Sequence, residues 1–425
     1  MITKITKLNL WLWIPLAIGF ILRLAILIYY GPDLSLNSDD YFYIDSAKFL
    51  LEEGKLVYVD HSEPTVHIMP GLPFLVASVF FFFGTGTVGL AAAKIVMILI
   101  GCLSIFGIYK IGERLFSPLA GSIAALILAL YVPIVVTDNL IATESPVTAA
   151  FIFFVYFSLR LANTHSMKDF YWVIGLYLFM LMFRPTIALF PVILLVYLVL
   201  KKYPVKIALK QFGIAAVLLL LVMGPWWARN YIAYDAFIPL SGGAGNPTLL
   251  GTYQGNGYKY GPPFDVVVQQ LVDEHPEASR YEQNIYQMEV AKERIEMMRE
   301  HNSDWFWETY TTAKLRIQWE DPFYWLQVLS IEKETMRTAY LVLFWTGLAS
   351  LLLMFAVKAR IWKEWLFIIL FILYFTVMNN LYLAYPRYNQ PLLPYFFLAI
   401  GGMVHVLVSF VNRNKIKEAE LEDRL

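Results

Sequence analysis

Long apolar runs separated by short polar segments dominate the sequence. A helix needs about 20 mostly apolar residues to cross the hydrocarbon core of a bilayer. The pattern therefore predicts an all-α polytopic membrane protein with about ten transmembrane helices. The predicted spans lie near residues 10–30, 91–109, 119–136, 146–161, 170–183, 186–200, 212–228, 340–357, 365–383 and 391–411.

The apolar run at residues 70–83 does not fit this series. It has only about 14 residues, too few for a crossing. If it stays on one side, Lys4 and Lys7 before the first run and the basic loops at Lys110 and Lys201 all face the cytoplasm, as the positive-inside rule requires. We therefore expect a re-entrant or interfacial helix within the first outer loop.

Two long polar segments divide the chain. The first outer loop, residues 31–88, belongs to an N-terminal transmembrane module that covers residues 1–228. Residues 229–337 form an outer loop in which apolar positions recur at helical spacing, so we expect amphipathic helices there. Residues 338–425 supply the last membrane helices and a short basic cytoplasmic tail.

Composition agrees with a membrane protein. The chain is 59% hydrophobic and 16% charged, whereas soluble domains carry about 25% charged residues. The formal net charge is zero, with bases in short loops and acids in the two long ones. The N-terminus has a basic start but no small-residue cleavage site, so we expect an uncleaved first span. Cys102 is the one cysteine, which excludes an internal disulfide.

Three carboxylates on the predicted outer face are candidate catalytic groups. Asp39 and Asp40 follow the first run, and Glu144 stands at the outer start of a later one. An enzyme that moves a sugar from a lipid phosphate needs one base for the acceptor hydroxyl, because phosphate departs as a stable anion. The alternative is structural. The aspartates would then cap a helix over residues 41–53, and Glu144 would complement a helix dipole.

Arginines at the outer ends of apolar runs also need an explanation, because the positive-inside rule disfavours them there. These are Arg184, Arg229 and Arg387. A lipid phosphate at headgroup depth is one explanation, since guanidinium binds phosphate through two parallel hydrogen bonds. Snorkelling or pairing with loop carboxylates is the other. Arg23 lies inside the first run, and we expect it to pair within the bundle.

His61 and His67, with Asp60 and Glu63 nearby, are candidate ligands for a divalent metal. Their spacing fits no tight ligand pattern, so interfacial hydrogen bonding is the favoured interpretation, and no cofactor is predicted with certainty. Residues 84–89 match G-x-G-x-x-G, but no strand precedes them, which argues against a dinucleotide site. The absence of a P-loop argues against a nucleotide donor.

Several short motifs follow one another in a fixed order between residues 38 and 394. They are Asp39-Asp40-Tyr41, Ala47-x-x-Leu50-Leu51-x-x-Gly54, His67-x-x-Pro70-Gly71-x-Pro73, Glu144-Ser145-Pro146, Arg184-Pro185, Pro225-Trp226-x-x-Arg229-Asn230 and Arg387-Tyr388-x-x-Pro391-Leu392-Leu393-Pro394. No single motif is specific. The ordered set resembles the GT-C fold glycosyltransferases, and within them the family of protein O-mannosyltransferases and the lipid A aminoarabinose transferase.

The resemblance implies a GT-C fold and a polyprenyl-phosphate-linked monosaccharide as donor. It implies inverting transfer to a lipid, glycan or protein acceptor at the outer face of the cytoplasmic membrane. It assigns the base to Asp39, with Asp40 where relatives often have Glu, and Glu144 as the second acid. The residues expected to bind substrate are Tyr41, Lys55, His67, Arg184, Arg229, Arg387 and Tyr388.

The sequence departs from the family pattern in two places. Ile68 and Met69 stand where the family usually has an aromatic residue or Arg, and no soluble domain follows the last apolar run. The competing interpretation is a secondary transporter or lipid-linked oligosaccharide flippase, and a third is an inactive scaffold. Transporters place charges at mid-membrane and are built from repeats. Here the ionisable residues gather at one face and no repeat is visible, which favours the enzyme.

Overall fold

The computed structural model describes residues 9–357 and 359–422. Apart from an isolated bridge between Tyr58 and Asp60, those residues contain no β-structure, which confirms the predicted all-α class. The α-helices are α1 (Leu10–Tyr30), α2 (Asp39–Glu52), α3 (Gly71–Phe83), α4 (Thr87–Leu115), α5 (Pro118–Leu130), α6 (Val132–Thr137), α7 (Glu144–Thr164), α8 (Met167–Leu181), α9 (Phe190–Leu200), α10 (Val205–Tyr234), α11 (Gly245–Gly251), α12 (Phe264–Glu274), α13 (Arg280–His301), α14 (Ser303–Trp307), α15 (Lys314–Trp319), α16 (Lys333–Val357), α17 (Trp362–Leu381) and α18 (Leu393–Glu422).

Seven of the described helices are long and apolar enough to cross a membrane, namely α1, α4, α7, α10, α16, α17 and α18. The other three predicted spans are shorter than a full crossing. The run near 119–136 is divided between α5 and α6, because Pro133 at the start of α6 has no N–H to continue the helix. Pro185 likewise separates α8 from α9, which is only 11 residues long. Lys4 and Lys7, used above for orientation, lie outside the described residues.

The short apolar run in the first outer loop forms the 13-residue helix α3. It packs between α2 and α4 and ends at Gly84, whose φ of 79° is in the left-handed region. At its start, the Gly71 N–H donates to the Met182 carbonyl at 2.7 Å. A Cβ at Gly71 would lie 2.6 Å from that carbonyl oxygen, so only glycine fits. This contact fixes the first loop against the end of α8, two residues before Arg184.

The centre of the bundle is built around α5, which packs against α1, α4 and α18. Its buried residues are small, chiefly alanines and Gly121, and this allows the neighbouring helices to approach closely. A Cβ on Gly112 of α4 would lie 2.5 Å from the Gly121 Cα. A second part of the core is aromatic, with Phe151 of α7 packed against Phe190 of α9 and Phe371 of α17.

The amphipathic helix predicted in the long outer segment is α13. Ser279 and Glu282 form a capping box at its start, which satisfies N–H groups that have no partner within the helix. The helical segment that follows, over residues 303–319, is interrupted. Asn302 accepts a hydrogen bond from the Trp305 N–H and starts α14, and a π-helical turn at Glu308–Ala313 then separates α14 from α15.

Arg23 is paired within the bundle, as the sequence predicted. Its Nε lies 2.8 Å from Asp138 Oδ2, and both side chains are nearly inaccessible. Its Nη1 donates to the Gly19 carbonyl at 3.1 Å, and Ser145 donates a further hydrogen bond to Asp138. A Cβ on Gly101 would lie 2.2 Å from Asp138 Oδ2, so glycine is required where α4 passes this pair. The pair therefore fixes the residue that follows Glu144.

We predict that Arg23→Met lowers the apparent melting temperature of the detergent-purified protein, because Asp138 is left as an uncompensated buried charge. Breaking such a pair costs about 3–5 kcal/mol. Arg23→Met combined with Asp138→Asn removes both charges and should recover part of the loss. Equal destabilisation of the single and double variants, measured by thermal unfolding, would contradict the role given to this pair.

Candidate active site

Four charged side chains from distant parts of the chain meet where α2 and α7 begin, just after the end of α8 and before the start of α18. Arg387 Nη2 donates to Asp39 Oδ2 at 2.6 Å, and Arg387 Nε lies 3.1 Å from Glu144 Oε1. Arg184 Nη2 donates to the same Glu144 oxygen at 2.5 Å. We call Asp39, Glu144, Arg184 and Arg387 the ionic cluster. The two carboxylates and two guanidinium groups give the cluster a formal charge of zero.

Helix ends and prolines place these side chains. Asp39 and Glu144 are the first residues of α2 and α7. Arg184 precedes Pro185 and is extended, with φ −143° and ψ 124°, as the residue before a proline favours. Arg387 lies on the 3-10 turn Pro386–Asn389. That turn is fixed to α6, because Gln390 Nε2 donates to Thr137 Oγ1 at 2.8 Å.

The hydrogen bonds and ion pairs of the two arginines use Nε and Nη2. Arg184 donates from Nε and Nη2 to Thr143 Oγ1 at 3.0 and 2.9 Å. Arg387 uses Nε and Nη2 toward Glu144 and Asp39. In the part of the chain that the structure describes, Nη1 of neither arginine has a hydrogen-bond partner. The Tyr388 ring centroid lies 5.8 Å from the Cζ of both arginines and holds their guanidinium groups on one side.

The cluster holds its groups in their charged forms. Burial alone would raise the pKa of Asp39, but the charge and hydrogen bond of Arg387, with the Tyr58 hydroxyl, more than offset it and lower that pKa below its ordinary value. Burial opposes the charge of Arg387, yet Glu144 and Asp39 together raise its pKa. Asp39 is therefore an ionised carboxylate at neutral pH, beside a permanent cation.

Two tyrosines that sequence reasoning missed complete the surroundings of Asp39. The Tyr58 hydroxyl donates to Asp39 Oδ1 at 3.0 Å, and the Tyr43 ring packs 5.5 Å from the Tyr58 ring. Burial, with the negative charge of Asp39, raises the pKa of both phenols, so both remain donors. Tyr43 follows Asp39 by four residues on α2, a spacing that places it on the same helix face. Tyr58 lies in an irregular loop, and no periodic signal marks it.

The comparisons with known proteins agree with this architecture. Residues 63–228, which include Glu144 and Arg184, match the family model for dolichyl-phosphate-mannose-protein mannosyltransferase. The archaeal oligosaccharyltransferase AglB from Archaeoglobus fulgidus, solved with an inhibitory peptide and a dolichol-phosphate, is similar over 96% of this chain and 52% of its own, with 14% identity and a TM-score of 0.53. The chain has the GT-C fold of integral-membrane glycosyltransferases.

A second solved structure is similar with a lower TM-score. ArnT from Cupriavidus metallidurans, bound to undecaprenyl phosphate, matches 93% of this chain and 60% of its own, with 12% identity and a TM-score of 0.45. The present chain thus spans about half the length of the archaeal oligosaccharyltransferase and 60% of this ArnT chain. A search of curated proteins finds no significant match.

Within this GT-C fold, the two adjacent aspartates have different surroundings. Asp40 is only 3% exposed. Its Oδ2 accepts hydrogen bonds from the Ser35 hydroxyl at 2.7 Å and the Leu36 N–H at 2.8 Å, and its Oδ1 accepts from the Ser38 N–H at 3.2 Å. Asp40 thus closes the loop before α2, and both of its carboxylate oxygens accept hydrogen bonds within that loop. Of the two expected catalytic aspartates, the structure brings only Asp39 to the cluster.

Three residues of the first loop that were predicted to bind substrate are not members of the cluster. The Tyr41 ring is 53% exposed and packs against Phe42, so it does not face Asp39. Lys55 Nζ donates to the carbonyls of His61 and Ser62 at 3.1 and 2.7 Å and closes a loop turn. His67 stacks on Tyr58 with 5.5 Å between ring centroids, and burial lowers its pKa although Asp39 opposes this.

The histidines do not form a metal site with a third ligand. The His61 ring packs against the Phe49 ring in a tilted arrangement, with 4.3 Å between centroids, and its Nε2 lies 3.9 Å from Asp45 Oδ2, whereas His67 lies beside Tyr58. Across residues 9–357 and 359–422, no three His, Cys, Asp or Glu side chains are grouped to hold a metal ion. A metal at His61 and His67 therefore gains no geometric support.

Arg229 does not join Arg184 and Arg387. It lies over the rings of Trp226 and Tyr234, at 5.3 and 5.9 Å, and donates to Asn230 Oδ1 at 3.0 Å. Of the three arginines that the sequence singled out, the structure brings together Arg184 and Arg387.

We predict that Glu144→Gln lowers the apparent melting temperature, because two guanidinium groups then lose the carboxylate they share. The expected cost is about 3–5 kcal/mol. Millimolar phosphate or sulfate should raise the melting temperature of this variant more than that of the wild type, since an anion can replace the lost charge. Glu113→Gln is the control, because Glu113 lies in the last turn of α4 and pairs with Lys110 outside the cluster. An anion effect equal in all three proteins would count against the cluster as an anion site.

Proposed function

We propose that this chain is a membrane glycosyltransferase that transfers a monosaccharide from a polyprenyl-phosphate donor to a hydroxyl acceptor. The observation that carries the proposal is the ionic cluster. It places the ionised Asp39 carboxylate against Arg387, and Glu144 holds Arg184 next to Arg387. Sugar transfer from a lipid phosphate needs a general base and a site that binds the phosphate. Few other polar side chains are required.

Arg184 and Arg387 are the proposed phosphate site. Guanidinium groups bind phosphate with charge-assisted hydrogen bonds, which are stronger than neutral ones. Negative charge grows on the phosphate as the sugar bond breaks, and fixed donors in a buried site stabilise such charge most strongly. Glu144 would hold both arginines at the spacing that the phosphate requires. The proposal of a lipid-linked donor is supported by the description of the matching family model and by the dolichol-phosphate bound in the archaeal structure.

Asp39 is the proposed general base. The acceptor oxygen attacks the anomeric carbon, its proton passes to the Asp39 carboxylate, and the bond to the phosphate oxygen breaks with its electron pair on the polyprenyl phosphate. A single displacement of this kind inverts the anomeric configuration. Arg387 lowers the basicity of Asp39 in the free protein. Once phosphate binds Arg387, that positive charge is shared, and Asp39 becomes a stronger base when the acceptor arrives.

We further propose that the site faces outward from the cytoplasmic membrane. Reporter fusions at Gly112, Ser166 and Lys202 should then report the cytoplasm, and fusions at Asp60 and Gly257 the outside. The expectation rests on the basic loops and on α3 not crossing the membrane. An outside signal at Lys202 would mean that α3 crosses, and the outward orientation would be wrong.

We predict that Asp39→Asn reduces sugar transfer at least about 100-fold, because Asn keeps the shape but cannot accept the proton. The assay is transfer from a labelled polyprenyl-phosphate hexose or pentose by purified protein in detergent, where no gradient exists. Donor binding should survive, since Arg184 and Arg387 remain.

Asp45→Asn is the matched control on the same helix, because Asp45 pairs with Lys48 at 3.6 Å and lies outside the cluster. Near-normal transfer by Asp39→Asn would remove Asp39 from the base role. Substrate movement only in sealed vesicles, with no transfer in detergent, would favour a transporter.

A further inference from the structure

A cavity of about 390 Å³ lies beside the cluster, between the loop at residues 58–67 and α13. Its size is within the range of about 300–1,000 Å³ that is usual for small-molecule sites. The loop and α13 are fixed to each other, because the Arg280 N–H donates to Glu63 Oε1 at 2.7 Å. The phosphate site proposed above uses none of the residues that line this cavity.

Two glutamines of α13 are among the residues that line the cavity. The side-chain oxygens of Gln283 and Gln287 are buried and, among the described residues, have no hydrogen-bond partner. Gln287 is only 6% exposed. Buried polar atoms without partners are rare, because each loses its hydrogen bonds to water. A ligand with hydroxyl groups would supply the missing donors.

The cavity lining contains two carboxylates and one guanidinium group, which disfavours an anionic ligand. Asp60 accepts hydrogen bonds from Ser62, and its Oδ2 lies 3.6 Å from Arg280 Nε. Glu63 Oε1 accepts a hydrogen bond from the Arg280 backbone N–H. The remaining wall includes the rings of Tyr234 and Tyr281, whose centroids are 5.3 Å apart. Aromatic surface with a few convergent amides suits a ligand that has apolar C–H faces and hydroxyl edges.

Tyr58 connects the cavity to the proposed base. It lines the cavity and donates to Oδ1 of Asp39, whereas Arg387 contacts Oδ2. The two carboxylate oxygens thus face different neighbours, with the proposed phosphate site on one side and the cavity on the other. In a single displacement the acceptor enters opposite the leaving phosphate, so the Tyr58 side is the acceptor side.

We propose that this cavity binds a sugar residue of a glycan acceptor, with Gln287 accepting a hydrogen bond from one of its hydroxyl groups. The inference rests on the proposed function for its acceptor role, but the binding of a sugar ring to the cavity can be tested without any donor.

Binding is measured by saturation-transfer NMR with methyl hexopyranosides as probes and the full-length protein in detergent. Gln287→Leu should weaken binding about tenfold, because a ligand hydroxyl loses its buried acceptor. Val272→Trp, which changes an exposed residue at the cavity wall, should block binding without removing a polar group. Gln269→Leu is the control, since Gln269 is exposed on α12 and bonds to Asp273 at 2.8 Å. Unchanged binding in both cavity variants would overturn the proposal.

In the transfer assay, Gln287→Leu should raise the acceptor KM about tenfold and leave the donor KM within about threefold. A rise in the donor KM alone would make the cavity a donor-sugar site and overturn the acceptor assignment. A serine-containing peptide that binds in place of the glycosides, and that Val272→Trp excludes, would assign the cavity to a protein acceptor instead. Glycoside binding that depends on Gln287, in protein that transfers no sugar, would refute the proposed function and leave a sugar-binding cavity.

Discussion

The shared carboxylate of Glu144 is the interaction on which the rest of the site depends. Burying an ion costs several kcal/mol unless opposite charges surround it closely. Glu144, at 2% exposure, meets this condition because one of its oxygens contacts both Arg184 and Arg387. The end of α8 and the turn before α18 are therefore held at fixed positions relative to α7. Asp39 is then held through Arg387, so a change at Glu144 reaches every member of the cluster.

Neighbouring contacts keep these helix ends in place. The Arg23–Asp138 pair reaches Ser145, the residue after Glu144, and Gly71 connects the first loop to Met182. Such fixed geometry matters for catalysis, because donors that are already oriented need no reorganisation when charge develops. It also gives a reason for polar groups inside an apolar bundle, where each must be paired to be tolerated.

Sequence reasoning identified members of this site but not their arrangement. Asp39, Glu144, Arg184 and Arg387 could be selected because each interrupts an apolar pattern at a predicted outer end. That both arginines meet at one Glu144 oxygen could not be predicted, since those contacts join residues about 40 and more than 240 positions apart. The hydrogen bonds of Asp40 could not be predicted either, although its partners Ser35, Leu36 and Ser38 are close to it in the sequence.

Some features that the sequence analysis did not predict could have been recognised from the sequence. Tyr43 could have been preferred to Tyr41 from its four-residue spacing to Asp39 on a helix. Pro133 marks the place where the predicted span at residues 119–136 is interrupted. Tyr58 and the glutamines of the cavity carried no such signal, because their roles come from how an irregular loop packs against α13.

The central claim is that Arg184 and Arg387 hold the donor phosphate beside Asp39. The most direct test is a cryo-electron microscopy structure of the protein in lipid nanodiscs with a bound polyprenyl phosphate. The account predicts phosphate oxygens within about 2.7–3.2 Å of Nη1 of both arginines, on the Oδ2 side of Asp39. Phosphate density at Arg229, or on the Tyr58 side of Asp39, would contradict it.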